Sequence, residues 1–280
     1  MKNILKASVF FAAFAVLSAA GPVCQYHAMV DKTPGIVAHW RFEETIDPRL
    51  ETRDKGTRVD VDEQAMRGTF FPGGGSLKVT ARLRDSINDY GGRTEEVGLG
   101  EKGIAGKAFR FSGKSSVVYI FRDAGLESGA DDFSMELWIK PESVDKGAIL
   151  LHRLSPFPKA TGYVVLSTGP NGNLHFTFGE SQDRRMSISV GEGTIVAGKW
   201  QHIVALRRGA SLALYVNGKP VKEESGPAGL RIRPFGNLSV GADDWGGRGF
   251  VGLIDEVAYY NVALPAEEIA RHWQAAVEAP

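Results

Sequence analysis

The chain has 280 residues, with 33 basic and 33 acidic side chains, 43% hydrophobic residues, 34 glycines and a single cysteine, Cys24. A net charge of zero offers no basic face to a polyanion, which excludes nucleic acid as an expected partner. One cysteine allows no internal disulfide, so the fold must rest on burial of an apolar core, for which a chain of this length suffices.

Lys2 and Lys6 precede an apolar run at 9–17, and the small residues Ser18, Ala19 and Ala20 follow. This is the order of an export signal. The run is shorter than the roughly 20 residues that span a bilayer, so a cleaved signal over 1–20 is favoured over a membrane anchor. Cleavage is expected after Ala20, with Ala28 as the second possibility. Loss of Lys2 and Lys6 then leaves 31 basic residues against 33 acidic ones. Val23 stands before Cys24, where a lipid-anchor signal needs a small residue. Residues 21–33 are read as a short linker and 34–280 as the domain, secreted, periplasmic or at the cell surface, with no membrane span after signal removal.

Residues 34–44 open the domain. Ile36, Ala38, Trp40 and Phe42 alternate with Val37, His39, Arg41 and Glu43, a period of two that predicts a strand with one buried face. Residues 45–105 carry dense mixed charge, glycines at 73–75 and 91–92, and short apolar pieces at 69–71 and 76–79. They read as an irregular insertion with one or two short strands, either functional or poorly ordered. Segments 107–111 and 116–121 flank Ser112-Gly113 and predict a hairpin.

Along 132–140, Phe133, Met135, Leu137 and Ile139 alternate with Ser134, Glu136, Trp138 and Lys140. Further strands are expected at 147–151, 162–166, 173–178, 186–190, 200–206, 212–216 and 238–240. Asn217-Gly218 predicts a tight hairpin turn, because both central positions want positive φ. Strands at this spacing imply a sandwich or barrel. Only the end reads as helical. Pro265 lies near the start, Glu267 and Glu268 fall in the first turn, and Ile269, Trp273 and Val277 share a face.

Six pieces occur in a characteristic order. They are the opening at 35–44; Gly103-x-x-Gly106-Lys107-Ala-Phe-x-Phe-x-Gly113; Phe133-Ser-x-x-x-Trp138-Ile-Lys-Pro141; Trp200-x-His202; Tyr215-Val-Asn217-Gly218; and Phe250-x-Gly-x-Ile-Asp255-Glu256-Val-x-x-Tyr260-Asn-x-Ala-Leu264. In these the chain resembles the laminin-G-like jelly roll of the concanavalin A-like lectin and glucanase superfamily, over most of the mature domain. The resemblance implies an all-β fold: a two-sheet antiparallel β-sandwich of jelly-roll type with a short C-terminal helix. It also implies binding more readily than catalysis. The departure lies in the insertion, where relatives carry a short Asp-x-Ser-Gly-x-Gly-acid turn and Asp54-Lys55-Gly56 is the nearest echo.

In an alternating strand Asp255 and Glu256 point to opposite faces. The resemblance gives the Asp a place in a structural calcium site beside the opening strand's acids, so the metal candidates are Asp255, Glu43 and Glu44 with backbone carbonyls. The alternative is an Asp255 that caps backbone N–H groups. For a ligand, Trp245 lies in a glycine-rich loop with Asp243, Asp244 and Arg248. An aromatic face flanked by charged groups suits a sugar, and the alternative is a Trp folded back on the sandwich. His152 and Arg153 precede 155–158, where they line a pocket rim with Phe157 or form a plain rigid turn. Trp200 and His202 read as packing residues ahead of a sugar platform.

Glucanases of the superfamily carry two glutamates on one strand around an Asp, with carboxyls about 5.5 Å apart. Here the Asp has no leading Glu and Glu136 stands alone, so no catalytic residue is assigned. The expected function is non-catalytic carbohydrate recognition with calcium assistance, the partner being a glycan or an extracellular protein. The alternatives are a glycoside hydrolase or polysaccharide lyase drawing acids from 45–105 or Glu136, and a structural or protein-interaction module at the cell surface.

Overall fold

In a computed structural model the chain forms a β-sandwich with a helical layer on one outer face. The structure describes residues 22–45, 79–113, 116–121, 123–127, 129, 131–154, 162–181, 183–232, 236–243 and 247–278. The expected signal at 1–20, most of the insertion (46–78), and Asp244, Trp245 and Phe157 lie outside the described residues.

Helix α1 spans Pro22–Val30. Strands follow as β1 (Ile36–Trp40), β2 (Val79–Leu83), β3 (Gly92–Glu95), β4 (Gly98–Lys102), β5 (Lys107–Ser112), β6 (Val117–Ile120), β7 (Phe133–Pro141) and β8 (Ala148–Leu154). Then come β9 (Tyr163–Thr168), β10 (Leu174–Gly179), β11 (Arg185–Val190), β12 (Gln201–Arg208), β13 (Ser211–Val216), β14 (Lys219–Ser225), β15 (Leu238–Val240) and β16 (Val251–Tyr260), and α2 (Ala266–Val277) closes the chain. One antiparallel sheet runs β14-β13-β12-β7-β16-β5-β4, with β1 also paired to β16. The other runs β11-β10-β9-β8-β15-β6-β3-β2.

The core lies between the sheets and includes Phe109, Phe133, Leu137, Ile139, Leu166, Phe176, Phe178 and Ile254. A second apolar cluster lies on the far side of the first sheet. There Tyr26 and Val30 of α1 and Ile269 and Ala276 of α2 meet Trp138, Val204, Tyr215 and Tyr260. This second cluster explains why β7 is buried along almost its whole length although its sequence alternates. Phe133, Met135, Leu137 and Ile139 face the core, and Ser134, Glu136 and Trp138 face the helices.

Four expectations are corrected. Residues 22–30 are a docked helix, not an irregular linker, so helix is not confined to the C-terminal end; Pro22 at its first position costs no hydrogen bond. The opening strand β1 is buried on both faces, because α1 and α2 cover the side that sequence reading gave to solvent. Segments 107–111 and 116–121 are not a hairpin: β5 pairs with β4 and β16, whereas β6 pairs with β3 and β15 in the other sheet. The insertion contributes three strands among the described residues, β2, β3 and β4. In α2 the buried face runs through Ile269, His272 and Ala276 with Trp273 beside it, and Val277 is 45% exposed. The Asn217-Gly218 turn has the expected positive φ at both residues, 52° and 74°.

Candidate functional site

The acids of the opening strand and of β16 meet at one loop. Gly103 to Gly106 closes on itself through Gly103 N to Gly106 O at 2.9 Å, which turns the following amides outward. Ile104 N and Ala105 N donate to Asp255 Oδ2 at 2.9 and 3.4 Å, and Lys107 N donates to Glu43 Oε1 at 2.8 Å. Glu256 N donates to Asp255 Oδ1 at 2.9 Å. The two glycines are required here. A Cβ on Gly106, at φ +82°, would collide with Glu43 Oε1, and one on Gly103 would collide with Asp255 Oδ2.

Asp255 therefore holds three backbone N–H groups, the capping role. Burial pushes its carboxyl well above the usual carboxylate range, and the Glu256 charge adds to the push, while the amide donors oppose it. Glu44 Oε1 accepts from Arg84 N at 3.0 Å. Both oxygens of Asp255 are taken by backbone N–H groups, and among the described residues Asp255, Glu43 and Glu44 are not drawn together as one ligand group.

Glu256 departs from the strand pattern. The β16 register shifts between Asp255 and Ala258, and Glu256 adopts φ 51°. Both carboxylates consequently lie on the helix side of the sheet, not on opposite faces. Glu256 Oε1 is 2.8 Å from His27 Nε2 of α1, and Oε2 is 2.5 Å from His39 Nε2 of β1. His39 Nδ1 is 2.8 Å from Asp31 Oδ1, and Arg41 also pairs with Asp31. Burial alone would lower His39, but its two carboxylate partners outweigh that and raise it to about 9.

Deeper under α2, Glu136 accepts from His202 Nε2 at 2.7 Å, Tyr260 Oη at 2.6 Å and His272 Nδ1 at 2.9 Å. Thr33 Oγ1 donates to Met29 O at 3.0 Å, so at 2.9 Å it accepts from His272 Nε2. His272 thus donates from both ring nitrogens and is an imidazolium. Burial opposes the charge on Glu136, but the two histidines hold its carboxyl well below the usual range.

The sequence-predicted ligand residues fall in separate places. Asp243 Oδ1 accepts from Gly247 N at 2.7 Å, and Asp243 Oδ2 lies 3.9 Å from Arg248 Nε. Arg248 has φ 47° and a side chain 61% exposed, and its carbonyl accepts from Ile149 N at 2.8 Å. These two are brought together at one end of β8. His152 and Arg153 are buried within the strand, not on an exposed rim. Arg153 Nε donates to Gly236 O at 3.2 Å and Nη1 donates to Leu126 O, about 13 Å along the strand from Ile149 at ~3.3 Å per residue. His202 is fully buried, and Trp200 packs partly buried at the edge of the helix-side cluster.

Residues 112–270, more than half of the chain, match a family model described as the concanavalin A-like lectin/glucanases superfamily. The chain belongs to this laminin-G-like family. No curated protein sequence matches it significantly. Among solved structures it is similar to domain 4 of AbnA, an extracellular arabinanase of Geobacillus stearothermophilus solved in complex with arabinotriose. That match has 21% identity and a TM-score of 0.55, and covers 71% of this chain and all of that one. It is also similar to the binding domain of botulinum neurotoxin serotype D (13% identity, TM-score 0.58, 89% and 52% covered). A third likeness is to the binding domain of Paraclostridial Mosquitocidal Protein 1 (16%, 0.57, 69% and 49%). The chain spans about half the length of the two toxin domains.

In this laminin-G-like domain Glu136 does not have the chemistry of a glycosidase acid. It is inaccessible, its oxygens are taken by three donors, and a carboxyl held low has no proton to give near neutral pH. Sequence reading missed two networks, His27, His39 and Asp31 around Glu256 and His272 on Glu136. The available signal was His39 alternating within an otherwise apolar strand; His27 and Asp31 lay in a stretch read as linker.

Proposed function

We propose that the protein is an exported, non-catalytic module that recognises a carbohydrate through the loop carrying Asp243 and Arg248. The observation behind this reading is the build of that loop. Asp243 is tied to Gly247 and lies 3.9 Å from Arg248 Nε, which places a largely exposed guanidinium beside a carboxylate at the end of β8. A cation with several N–H donors next to a carboxylate suits sugar hydroxyls, and a rigid scaffold presenting functional loops is the usual division of labour. The likeness to a domain captured with arabinotriose makes pentose oligosaccharides the first ligands to try.

The test is a glycan-array and titration screen of the purified protein, with calcium and with chelator. Saturable oligosaccharide binding that falls about tenfold in Arg248→Ala, or ~1.4 kcal/mol, supports the reading. Polysaccharide cleavage that one carboxylate substitution abolishes would overturn it. A blank array would favour the second reading, a protein-receptor module, to which the likeness to toxin binding domains lends support.

A further inference from the structure

We propose that His27, Glu43 and Glu256 form a site for one divalent metal ion of the zinc class, which fastens α1 to the sandwich. Each residue offers one ligand atom, and the three atoms lie within 4.8 Å of one another. They come from three elements: α1, the segment after β1, and the β16 bulge. This set differs from the calcium candidates in containing a nitrogen donor. Calcium takes six to eight oxygens, whereas one imidazole with carboxylates suits zinc and its neighbours, at ~2.0–2.2 Å from each donor.

Three features make this a built site. Both carboxylates are held from behind: Glu256 by His39, itself backed by Asp31, and Glu43 by the Lys107 amide. Such outer partners orient ligands and leave one oxygen of each acid to face the ion. The Glu256 backbone sits at φ 51°, a conformation costly for a residue with a Cβ, and it delivers the carboxylate to His27. Charge is the third feature. Asp31 and Glu256 meet His27, His39 and Arg41, and a divalent ion bound at the His27 ring nitrogen would take the place of its proton as the positive partner of Glu256 and Glu43. A cleft of about 200 Å³ lined by His39, Arg41, Glu43, Glu44, Arg84 and Asp85 opens beside Glu43.

The experiment is a titration of the purified protein, stripped by chelator, with Zn2+, with Co2+ as a spectroscopic probe, and with Ca2+ for comparison. One Zn2+ per chain is expected, with a rise in Tm and a visible Co2+ band of mixed nitrogen and oxygen ligation. Glu43→Gln keeps an oxygen for the Lys107 amide but loses the ligand charge, and His27→Gln removes the nitrogen. Each should weaken Zn2+ by more than the about 100-fold that loss of an outer partner costs. If His27→Gln loosens α1, Glu43→Gln still decides, with circular dichroism as the check on folding. No one-to-one Zn2+ binding, undiminished binding in Glu43→Gln, or tighter Ca2+ than Zn2+ would each overturn the proposal.

Discussion

Glu136 of β7 and His272 of α2 are both fully buried, and they join sheet to helix through Nδ1 and Oε2 at 2.9 Å. The two residues are 136 positions apart in the chain. The pair is a long-range clamp, and removing one partner would leave an uncompensated buried charge.

The clamp sets a pH window. Glu136 is depressed in the folded state, so its contribution is full above its ordinary value of 4.5 and is lost as pH falls towards the folded value. His272 is raised, with burial opposing and Glu136 outweighing it. Its contribution is full below the ordinary 6.5 and is lost as pH rises through the folded value. His202, Tyr260 and Glu268 also face the pair, and the His39 charge acts on His272 from nearby. The clamp's contribution should peak between pH 4.5 and 6.5. Urea midpoints measured across pH will check this. The wild-type decline above pH 6.5 should be visibly reduced in His272→Gln, and an unchanged slope would remove the clamp from the account.

Tyr26 carries the docking of α1. Its ring is 1% exposed, and its hydroxyl accepts from Trp138 Nε1 at 2.9 Å. Tyr26→Ala should cost about 3–5 kcal/mol, as for other buried aromatic truncations. Tyr26→Phe, which only orphans the indole N–H, should cost about 1–3 kcal/mol. Cleavage after Ala28 would discard both Tyr26 and His27. We propose that any export cleavage falls before Tyr26, and N-terminal sequencing of the secreted protein will check this.

These residues show where sequence reading succeeds and where it stops. Phe133 to Ile139 and Asn217-Gly218 were legible because period-two alternation and positive-φ turn chemistry are local rules. The role of Glu136 was not, since nothing within its own strand reveals that α2 returns His272 to cover it. The same holds for Asp255 and Glu256. Strand alternation sends them to opposite faces, and only a bulge with Glu256 at φ 51° brings both to the helix side. Arg153 misled for the converse reason: a charged residue before a proline-rich turn looks exposed, yet carbonyls of Gly236 and Leu126 satisfy it in the interior.

Asn217 links the hairpin to the clamp. Its Oδ1 accepts from His202 N at 3.0 Å, and its N donates to His202 O at 2.8 Å. Asn217→Ala loses the side-chain acceptor and places a residue with little tolerance for φ 52° in the turn. A loss of about 1–2 kcal/mol is expected. Asn217→Gly should lose less, because glycine accepts the turn conformation freely. Equal losses in the two variants would assign the whole effect to the side-chain bond.

Two glycines with nearly the same backbone separate conformation from contact. Gly100 has φ +83° and nothing within 4 Å of a built Cβ, whereas Gly106 has φ +82° and Glu43 Oε1 in the way. Alanine at either position bears the left-handed penalty of about 1–2 kcal/mol. Only Gly106→Ala must also displace the Glu43 carboxylate from the Lys107 amide, adding about 1 kcal/mol for the lost bond. Paired denaturation curves should therefore show the larger loss at Gly106. The metal titration should show weaker Zn2+ binding in Gly106→Ala and unchanged binding in Gly100→Ala. Equal stability losses would mean that Glu43 moves aside at no cost and that the 103–106 loop does not hold it in place.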